Sequence, residues 1–289
     1  MPRLVPKIVT SIDGRIVPAR AARIPVIDNS FLYAEGLFET FLAVGDRLIF
    51  ANRHLRRLKN GARMIGLRLP VADAKLRRWM KTAAGRHPDR YKKVRLTITS
   101  GDSPRWTGKP GKPRVVISVS RHDLPEEPFK LQVSEFLVDQ DSPFRQIKTV
   151  SYAIQAAAFR KALASGYDDA ILLNENHRVA EVTSANIFWV KRGIIYTPPL
   201  SAGCLDGVTR RAVIAVARRL KLKIAQRHDT LGSMLSADEI FISSSLKLVV
   251  GVGVIGHGAR RTLISGGPVT EMLHEYFRRM VDEGDSLTL

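Results

Sequence analysis

Residues 181 to 210 read EVTSANIFWVKRGIIYTPPLSAGCLDGVTR, and the signals in this segment are the most informative in the chain. A short strand brings in the carboxylate of Glu181, a turn follows, and a helix begins near Gly207 and Thr209. Free backbone N–H groups at such a helix start bind phosphate. Taken alone, however, Gly207 is equally a turn residue and Thr209 an N-cap. Helical spacing predicts a core face made of Ala212, Val213, Val216, Ala217 and Leu220.

The part of the chain before residue 122 has the pattern of an α+β domain. A strand from Lys7 to Ile12, a turn at Asp13-Gly14 and a strand from Arg15 to Val17 predict a hairpin. Alternation places Leu96 and Ile98 on one face of a strand. The remaining predicted elements are helices at 52–66 and 72–84, strands at 95–99 and 115–119, and a long Gly/Pro-rich loop at 101–113.

A polar stretch punctuated by proline, His122 to Pro128, separates this part from a second series of elements. We therefore predict a small N-terminal domain at residues 1–125 and a larger C-terminal domain at residues 126–289. The second domain is predicted to contain strands at 131–138, 169–173, 187–190 and 239–243, and helices at 153–164, 209–220 and 269–282.

The composition is that of a folded globular protein, with 289 residues, 45% hydrophobic and 25% charged. Its longer apolar runs, such as Val249 to Ile255, are too short to span a membrane, and the N-terminus lacks a signal-peptide core. A single cysteine, Cys204, excludes an internal disulfide and a cysteine-based zinc site. We predict a cytoplasmic protein without a metal site, in which Cys204 is an ordinary buried residue.

The net charge of +19 raises the possibility of an anionic partner such as nucleic acid. Basic residues cluster at 53–59 and 75–78, but apolar residues at helical spacing interrupt both clusters. Solvated helix faces explain these clusters more simply. Because no zinc-finger, KH or RNP pattern accompanies the charge, nucleic-acid binding is not expected and remains a remote alternative.

Five further segments, together with residues 181 to 210, resemble the landmarks of the class IV aminotransferases in their usual order. Members of this family have the fold-type IV architecture and use pyridoxal 5'-phosphate; they include branched-chain aminotransferases, D-amino-acid transaminases and aminodeoxychorismate lyases. The resemblance covers nearly the whole chain and implies a small N-terminal α/β domain and a larger C-terminal domain that binds pyridoxal phosphate. It also implies a mixed, barrel-like sheet in the larger domain and a cofactor at the domain interface. The five segments are residues 31–40 (FLYAEGLFET), 54–58 (HLRRL), 94–97 (VRLT), 148–152 (KTVSY) and 238–245 (DEIFISSS).

The resemblance implies roles around the cofactor. Lys148 would hold it as a Schiff base and shuttle the α-proton of the substrate. Glu181 would keep the pyridine nitrogen protonated, so that the ring serves as an electron sink. On residue type alone, both would be surface charges. At the phosphate, the resemblance implies Arg57, rather than Arg56, together with the Val208 and Thr209 amides, Ser244 and Ser245. Tyr152 would contact the phenolic oxygen of the cofactor, and Leu205 would pack on the ring face. Alternatively, Tyr152 or Leu205 is an ordinary core residue.

The same resemblance points to a substrate pocket with Tyr33, Phe38 and Arg95 as walls and the Ser245-Leu246 backbone as a carboxylate anchor. Lys247 could recognise a second acidic group on the substrate or point to solvent, and the second alternative is slightly favoured. Members of the family are typically dimers that share part of this pocket, so a homodimer is implied.

The chain departs from the family pattern at Ala34 and Gly251, where a glycine and a proline are usual, and at Ser245, where a threonine is usual. Residues 99–101 read Thr-Ser-Gly instead of the T-R-G of D-amino-acid transaminases, which disfavours a D-specific enzyme. We predict transamination between an L-amino acid of the branched-chain type and a 2-oxo acid. Aminodeoxychorismate lyase activity, which forms 4-aminobenzoate and pyruvate, is the close alternative because the F-E-T at 38–40 occurs in both groups.

Overall fold

The computed structural model describes residues 8–102 and 111–284, which form two compact units. The first unit contains the described residues of Met1–Leu124 together with Ile147–Ser151, and the second contains those of Pro125–Gln146 and Tyr152–Leu289. Each unit combines a β-sheet with helices. The α+β class predicted from the sequence is confirmed.

The first unit has six strands and three α-helices among its described residues. In chain order they are β1 (Val9–Ile12), β2 (Arg15–Val17), α1 (Asn29–Leu32), β3 (Gly36–Val44), β4 (Arg47–Leu48), α2 (Ala51–Met64), α3 (Asp73–Gly85), β5 (Tyr91–Thr99) and β6 (Val115–Arg121). The strands form an antiparallel sheet in the order β2-β1-β6-β5-β3-β4. The predicted hairpin, the two predicted strands and both predicted helices are confirmed, whereas the predicted loop at 101–113 lies partly outside the described residues.

Strand β3 forms the structural centre of the first unit, although its residues were predicted only as part of a family motif and not as a strand. Its residues GLFETFLAV lack clear alternation because the strand is buried on both faces. Leu37 and Phe41 face the hydrophobic core formed with α2 and α3. Phe38 and Leu42, which point to the opposite face, are also buried.

The segment Ile147–Ser151 joins the first unit because its backbone bonds to the start of β3. The Phe38 N–H donates to the Lys148 carbonyl oxygen at 2.9 Å, and the Val150 N–H donates to the Gly36 carbonyl oxygen at 3.0 Å. These bonds hold the backbone of Lys148 against β3.

The second unit holds a nine-stranded mixed sheet. Its elements in chain order are β7 (Phe129–Val138), α4 (Ala153–Ala164), β8 (Asp169–Asn174), β9 (Val179–Val182), β10 (Asn186–Lys191), β11 (Ile194–Thr197), α5 (Val208–Arg219), β12 (Lys223–Gln226), α6 (Leu231–Leu235), β13 (Glu239–Ser244), β14 (Leu248–His257), β15 (Arg260–Leu263) and α7 (Pro268–Glu283). The strand order is β12-β11-β10-β13-β14-β7-β8-β9, and β15 pairs with β14.

The predicted helices of the second unit are all present, with one correction to the core face of α5. Four of the five residues assigned to that face are fully buried, and α5 contacts strands β12 and β13 of the sheet. Leu220 is instead the C-cap of α5 and is 38% exposed, because the helix ends at Arg219, one residue before the predicted end.

No helix in the described part of the chain is both long enough and apolar enough to cross a membrane.

Candidate functional site

Lys148 lies beside the ring of Phe38 in the first unit. The Lys148 Nζ atom is 4.4 Å from the centroid of this ring, and the Arg95 Cζ atom is 3.7 Å from the same centroid. Both are cation–π contacts. Arg95 reaches Phe38 because the two residues are diagonal neighbours across β3 and β5, where Phe38 is opposite Thr97. Three residues predicted for cofactor or substrate binding thus meet around one aromatic ring.

Tyr33, the other predicted pocket residue of the first unit, follows the last turn of α1 and is 52% exposed. Ala34 beside it has φ +55°, a left-handed conformation that glycine adopts more easily. The glycine that is usual at this position in the family pattern therefore has a backbone explanation.

Arg57 lies on α2 and forms a bidentate ion pair with Glu39 of β3. The Arg57 Nε and Nη2 atoms donate to the two Glu39 carboxylate oxygens at 2.8 and 2.7 Å. His54, one helical turn earlier, also contacts Glu39, with 2.7 Å between Nδ1 and Oε2. The predicted phosphate ligand is therefore held by a buried carboxylate to which the sequence analysis assigned no role.

Burial would raise the pKa of the Glu39 carboxyl, but the charge and hydrogen bonds of Arg57, together with those of His54, outweigh it. The net effect lowers the Glu39 pKa to about 2. Burial also lowers the pKa of His54 against the opposing influence of Glu39. His54 is therefore the neutral member and Glu39 the anionic member of this group, and the contact to the carboxylate makes Nδ1 the protonated ring nitrogen.

Glu181 lies on β9 in the second unit and is 7% exposed. One carboxylate oxygen pairs with the Arg145 guanidinium, and the other accepts a hydrogen bond from the Leu205 N–H at 2.9 Å. Arg145 is itself held by its Nε bond to the Gly203 carbonyl oxygen at 2.8 Å. Glu181 is therefore a fixed, buried anion, and the surface-charge alternative is wrong.

The start of α5 leaves polar groups without partners. Gly207 is the N-cap, and the first N–H groups of a helix have no acceptor within the helix. The Thr209 hydroxyl is buried and has no hydrogen-bond partner among the described residues. A Cβ at Gly207 would lie 2.0 Å from the Asn186 Oδ1 atom, while the Asn186 amide donates to the Leu205 carbonyl oxygen at 2.8 Å. The backbone and Asn186 thus approach more closely here than a side chain would allow.

Ser243 adds a second unpartnered hydroxyl to this region of the unit. It is directly opposite Asn186 across β10 and β13, so the two side chains share one face of the sheet. Its Oγ atom is buried and lacks a partner among residues 8–102 and 111–284. A helix N-terminus with buried hydroxyls suits a phosphate group.

The last residue of β13, Ser244, and the turn that follows it, residues 245–247, were all predicted site residues. The Ser244 hydroxyl accepts a hydrogen bond from the Lys247 N–H at 3.1 Å, which closes the turn. The Lys247 Nζ atom donates to the Ser184 hydroxyl at 2.6 Å and lies 3.6 Å from a carboxylate oxygen of the fully buried Asp169. The expectation that Lys247 points to solvent is wrong, because its ammonium group lies against the buried carboxylate of Asp169.

Tyr152 and Leu205 are both partly buried. The Tyr152 hydroxyl donates to the Thr183 carbonyl oxygen at 3.0 Å, and the Thr183 side chain bonds to Asp169. Tyr152 therefore belongs to a polar network. The Leu205 backbone forms hydrogen bonds with Glu181 and Asn186.

In the second unit, these groups fit a phosphorylated cofactor with a protonatable ring. The α5 start and its unpartnered hydroxyl match a phosphate, and a buried carboxylate matches a ring N–H cation, because buried charges require opposite charges or hydrogen bonds. The first unit, taken by itself, holds the Lys148 amine and the Arg57 guanidinium, the kinds of groups that bind an aldehyde and a phosphate.

Comparison with known proteins connects this chemistry to a family. The family model described as "Amino-transferase class IV" matches residues 36–255. The chain belongs to the class IV aminotransferase family. This confirms the family predicted from the motifs and identifies the protein as an enzyme of that family.

Individual class IV aminotransferase relatives differ in their named activities. The "Probable branched-chain-amino-acid aminotransferase" of Aquifex aeolicus is 29% identical, over 92% of this chain and 89% of the relative. The "Aminodeoxychorismate lyase" of Bacillus subtilis is 27% identical, over 83% of this chain and 84% of the relative. The crystal structure of the branched-chain aminotransferase of Thermoproteus uzoniensis with norvaline is 26% identical and has a TM-score of 0.87, with 96% of each chain covered. The class IV fold is therefore shared across both units.

Two residues of this class IV aminotransferase were missed for different reasons. Arg145 lies outside every recognised motif and reaches Glu181 only through a short helical turn at Pro143–Gln146. Glu39 lies in the F-E-T motif next to Phe38. Its position in a family motif was the sequence feature that could have indicated a role at the site.

Proposed function

We propose that this class IV enzyme is a pyridoxal-phosphate-dependent aminotransferase that moves an amino group between an L-amino acid of the branched-chain type and a 2-oxo acid. The observation that carries the proposal is the fixed, buried carboxylate of Glu181 in the same unit as the α5 start, where the Thr209 hydroxyl has no partner within the described part of the chain. These two features suit opposite ends of this cofactor.

When bound, the cofactor supplies an electron sink for the substrate's α-carbon. Lys148 Nζ is the proposed attachment point, and its amine would move the α-proton. The Glu181 carboxylate would accept a hydrogen bond from the ring nitrogen, and Arg145 and the Leu205 N–H keep that carboxylate fixed. The proposed phosphate ligands are Arg57, the Val208 and Thr209 backbone amides, the Thr209 hydroxyl, Ser244 and Ser245; Tyr152 and the Leu205 side chain are proposed at the ring.

On the substrate side, Phe38, Arg95 and Tyr33 are the proposed pocket walls, and the Ser245-Leu246 backbone is the proposed carboxylate anchor. The charge of Lys247 is offset by Asp169 at 3.6 Å, so a second acidic group on the substrate gains little attraction there. This supports an apolar amino donor, because Lys247 is then not a residue dedicated to a second acidic group on the donor, such as that of aminodeoxychorismate.

A paired assay tests the activity. We expect glutamate to form from 2-oxoglutarate with leucine, isoleucine or valine, and expect D-enantiomers to react poorly. In parallel, 4-aminobenzoate formation is measured with aminodeoxychorismate. Product in the second assay alone would make the enzyme a lyase, the alternative that the Bacillus subtilis relative keeps open.

Lys148 can be tested as the attachment point without an activity assay. Borohydride reduction of the protein with pyridoxal phosphate, followed by peptide mass spectrometry, is expected to label Lys148. Lys148→Ala removes the amine and should abolish this label. Lys161→Ala, which alters a lysine of 54% side-chain exposure on α4, is the matched control and should retain it. Label retained at other lysines in Lys148→Ala would contradict the assignment.

The nucleic-acid alternative makes a different prediction. It requires salt-sensitive binding to DNA or RNA and a protein that stays colourless with pyridoxal phosphate. A yellow protein whose binding to nucleic acid is absent at physiological salt would exclude it.

A homodimer in the cytoplasm completes the proposal. Three large apolar residues before and within α1 are strongly exposed: Val26 at 71%, Ile27 at 58% and Phe31 at 72%. Such a group of exposed apolar side chains is typical of an interface. Phe31→Glu is expected to shift the sedimentation coefficient toward that of a monomer, whereas Phe144→Glu, at 59% exposure in the second unit, should leave it unchanged.

A further inference from the structure

We propose that Glu39 is a positioning residue for the cofactor phosphate and acts by fixing the orientation of the Arg57 guanidinium. The inference rests on the proposed function, in which Arg57 is a phosphate ligand, and it concerns only contacts within the first unit. Glu39 itself is fully buried behind Arg57 and is not proposed to touch the cofactor.

The geometry fixes one edge of the guanidinium. Glu39 accepts from the Arg57 Nε and Nη2 atoms at 2.8 and 2.7 Å, which uses both carboxylate oxygens in a fork-to-fork pair. Because the guanidinium is planar and rigid, holding this edge also sets the direction of the opposite edge at Nη1. The Arg57 side chain is 10% exposed, so its head group lies at the margin of the buried carboxylate and not in open solvent.

His54 fixes the carboxylate in turn. Its Nδ1 atom is 2.7 Å from Glu39 Oε2, and its side chain is completely buried. The imidazole packs against Phe41 with 4.5 Å between ring centroids, so the ring cannot turn without disturbing the core. His54 and Arg57 are three residues apart on α2 and therefore contact Glu39 from the same face of the helix.

Two effects of Glu39 on phosphate affinity oppose each other. Its negative charge reduces the attraction of Arg57 for an anion, whereas its two hydrogen bonds preorganise the arginine. Positioning dominates if loss of Glu39 weakens phosphate binding, and simple charge compensation dominates if the loss strengthens it. Glutamine distinguishes the two, since it is isosteric and uncharged and offers one oxygen where Arg57 requires two.

The experiment compares a cofactor that carries phosphate with one that lacks it. Dissociation constants for pyridoxal phosphate and for pyridoxal are measured by absorbance titration for wild type, Glu39→Gln, Arg57→Ala and the double variant. We expect Glu39→Gln to weaken pyridoxal-phosphate binding by about tenfold and pyridoxal binding by less than about twofold. In the Arg57→Ala background, the same change should have almost no further effect.

His54 variants provide a second route should Glu39→Gln fail to fold, which far-UV circular dichroism would reveal. His54→Ala removes the contact to Glu39 and should lower the preference for pyridoxal phosphate over pyridoxal. His54→Asn retains an N–H donor near the Nδ1 position and should restore that preference.

Several results would overturn the proposal: an equal loss of affinity for both cofactors, tighter binding of pyridoxal phosphate by Glu39→Gln, or an undiminished effect of Glu39→Gln in the Arg57→Ala background. Failure of wild-type protein to bind pyridoxal phosphate would instead reject the proposed function, so the two outcomes are distinguishable.

Discussion

At the residue scale, Gly207 is required for steric reasons and not for backbone freedom. Its φ is −65°, which any residue adopts, but an added Cβ would lie 2.0 Å from the Asn186 Oδ1 atom. We expect Gly207→Ala to displace Asn186 and the α5 start, at a cost of about 1–3 kcal/mol in the free energy of unfolding, and to weaken pyridoxal-phosphate binding. Urea denaturation and absorbance titration measure the two effects. Gly232→Ala, at a position in α6 with open space around it, is the control and should leave cofactor affinity unchanged.

At Ala34 the constraint is the backbone conformation and not the space around a Cβ. Its φ of +55° strains any residue that has a Cβ. Ala34→Gly removes this strain, and part of the gain is offset by the greater flexibility of glycine in the unfolded chain. We expect a net stabilisation of up to about 1 kcal/mol, measured as a rise in the thermal unfolding temperature. The control is Ala22→Gly, where φ is −64°; it should lower that temperature. Equal losses at both positions would contradict this explanation.

At the scale of elements, β13 caps the N-terminus of α7. The Glu239 carboxylate accepts from the Val269 and Thr270 N–H groups at 3.2 and 2.7 Å. We expect Glu239→Ala to cost about 1–2 kcal/mol, because the buried Thr270 N–H and the partly buried Val269 N–H lose their acceptor. Glu271→Ala removes an exposed acidic residue of the same first turn and should cost only about 0.3–1 kcal/mol. Chemical denaturation of both variants checks the difference, and similar losses would exclude a specific cap.

This cap also explains why Gly267 precedes α7. A Cβ there would lie 2.3 Å from the Glu239 carboxyl carbon. The glutamate of the D-E-I-F segment, which the sequence analysis treated only as part of a family motif, is therefore a structural residue that ties a helix to the central sheet.

At the scale of the whole molecule, Glu39 should contribute to stability in acid. Its pKa is lowered from 4.5 to about 2, so the folded state binds its proton less readily than the unfolded state. The stabilisation is complete above pH 4.5 and is lost as the pH falls toward 2. Its size is on the order of 3 kcal/mol.

The corresponding measurement is urea unfolding at a series of pH values. Glu39→Gln is expected to have a lower free energy of unfolding than wild type at pH 7. This difference in free energy should become smaller as the pH falls from 4.5 toward 2. Asp123→Asn changes an exposed ion pair with Arg121 and should show no such narrowing. A constant difference across the range would mean that the carboxylate charge is not what stabilises the fold.

Local sequence patterns were sufficient to predict the helices and strands that have one buried face. The alternation in β5 and the helical spacing in α2 and α3 predicted these elements to within a few residues. Alternation gave no signal for β3, because this strand is buried on both faces. Leu220 was predicted to lie on the core face of α5, but the helix ends one residue before it. Spacing alone does not determine where a helix ends.

For the candidate site, the sequence determined the kinds of groups present, because the family motifs are runs of neighbouring residues. Lys148, Glu181 and Arg57 could each be named from such runs. Only the tertiary structure decided which groups hold them in place. Arg145 reaches Glu181 across 36 residues, Asp169 turns Lys247 inward across 78, and Glu39 holds Arg57 from a different element. Contacts between residues so distant along the chain leave no local pattern, since they arise only when the folded backbone brings separate elements together.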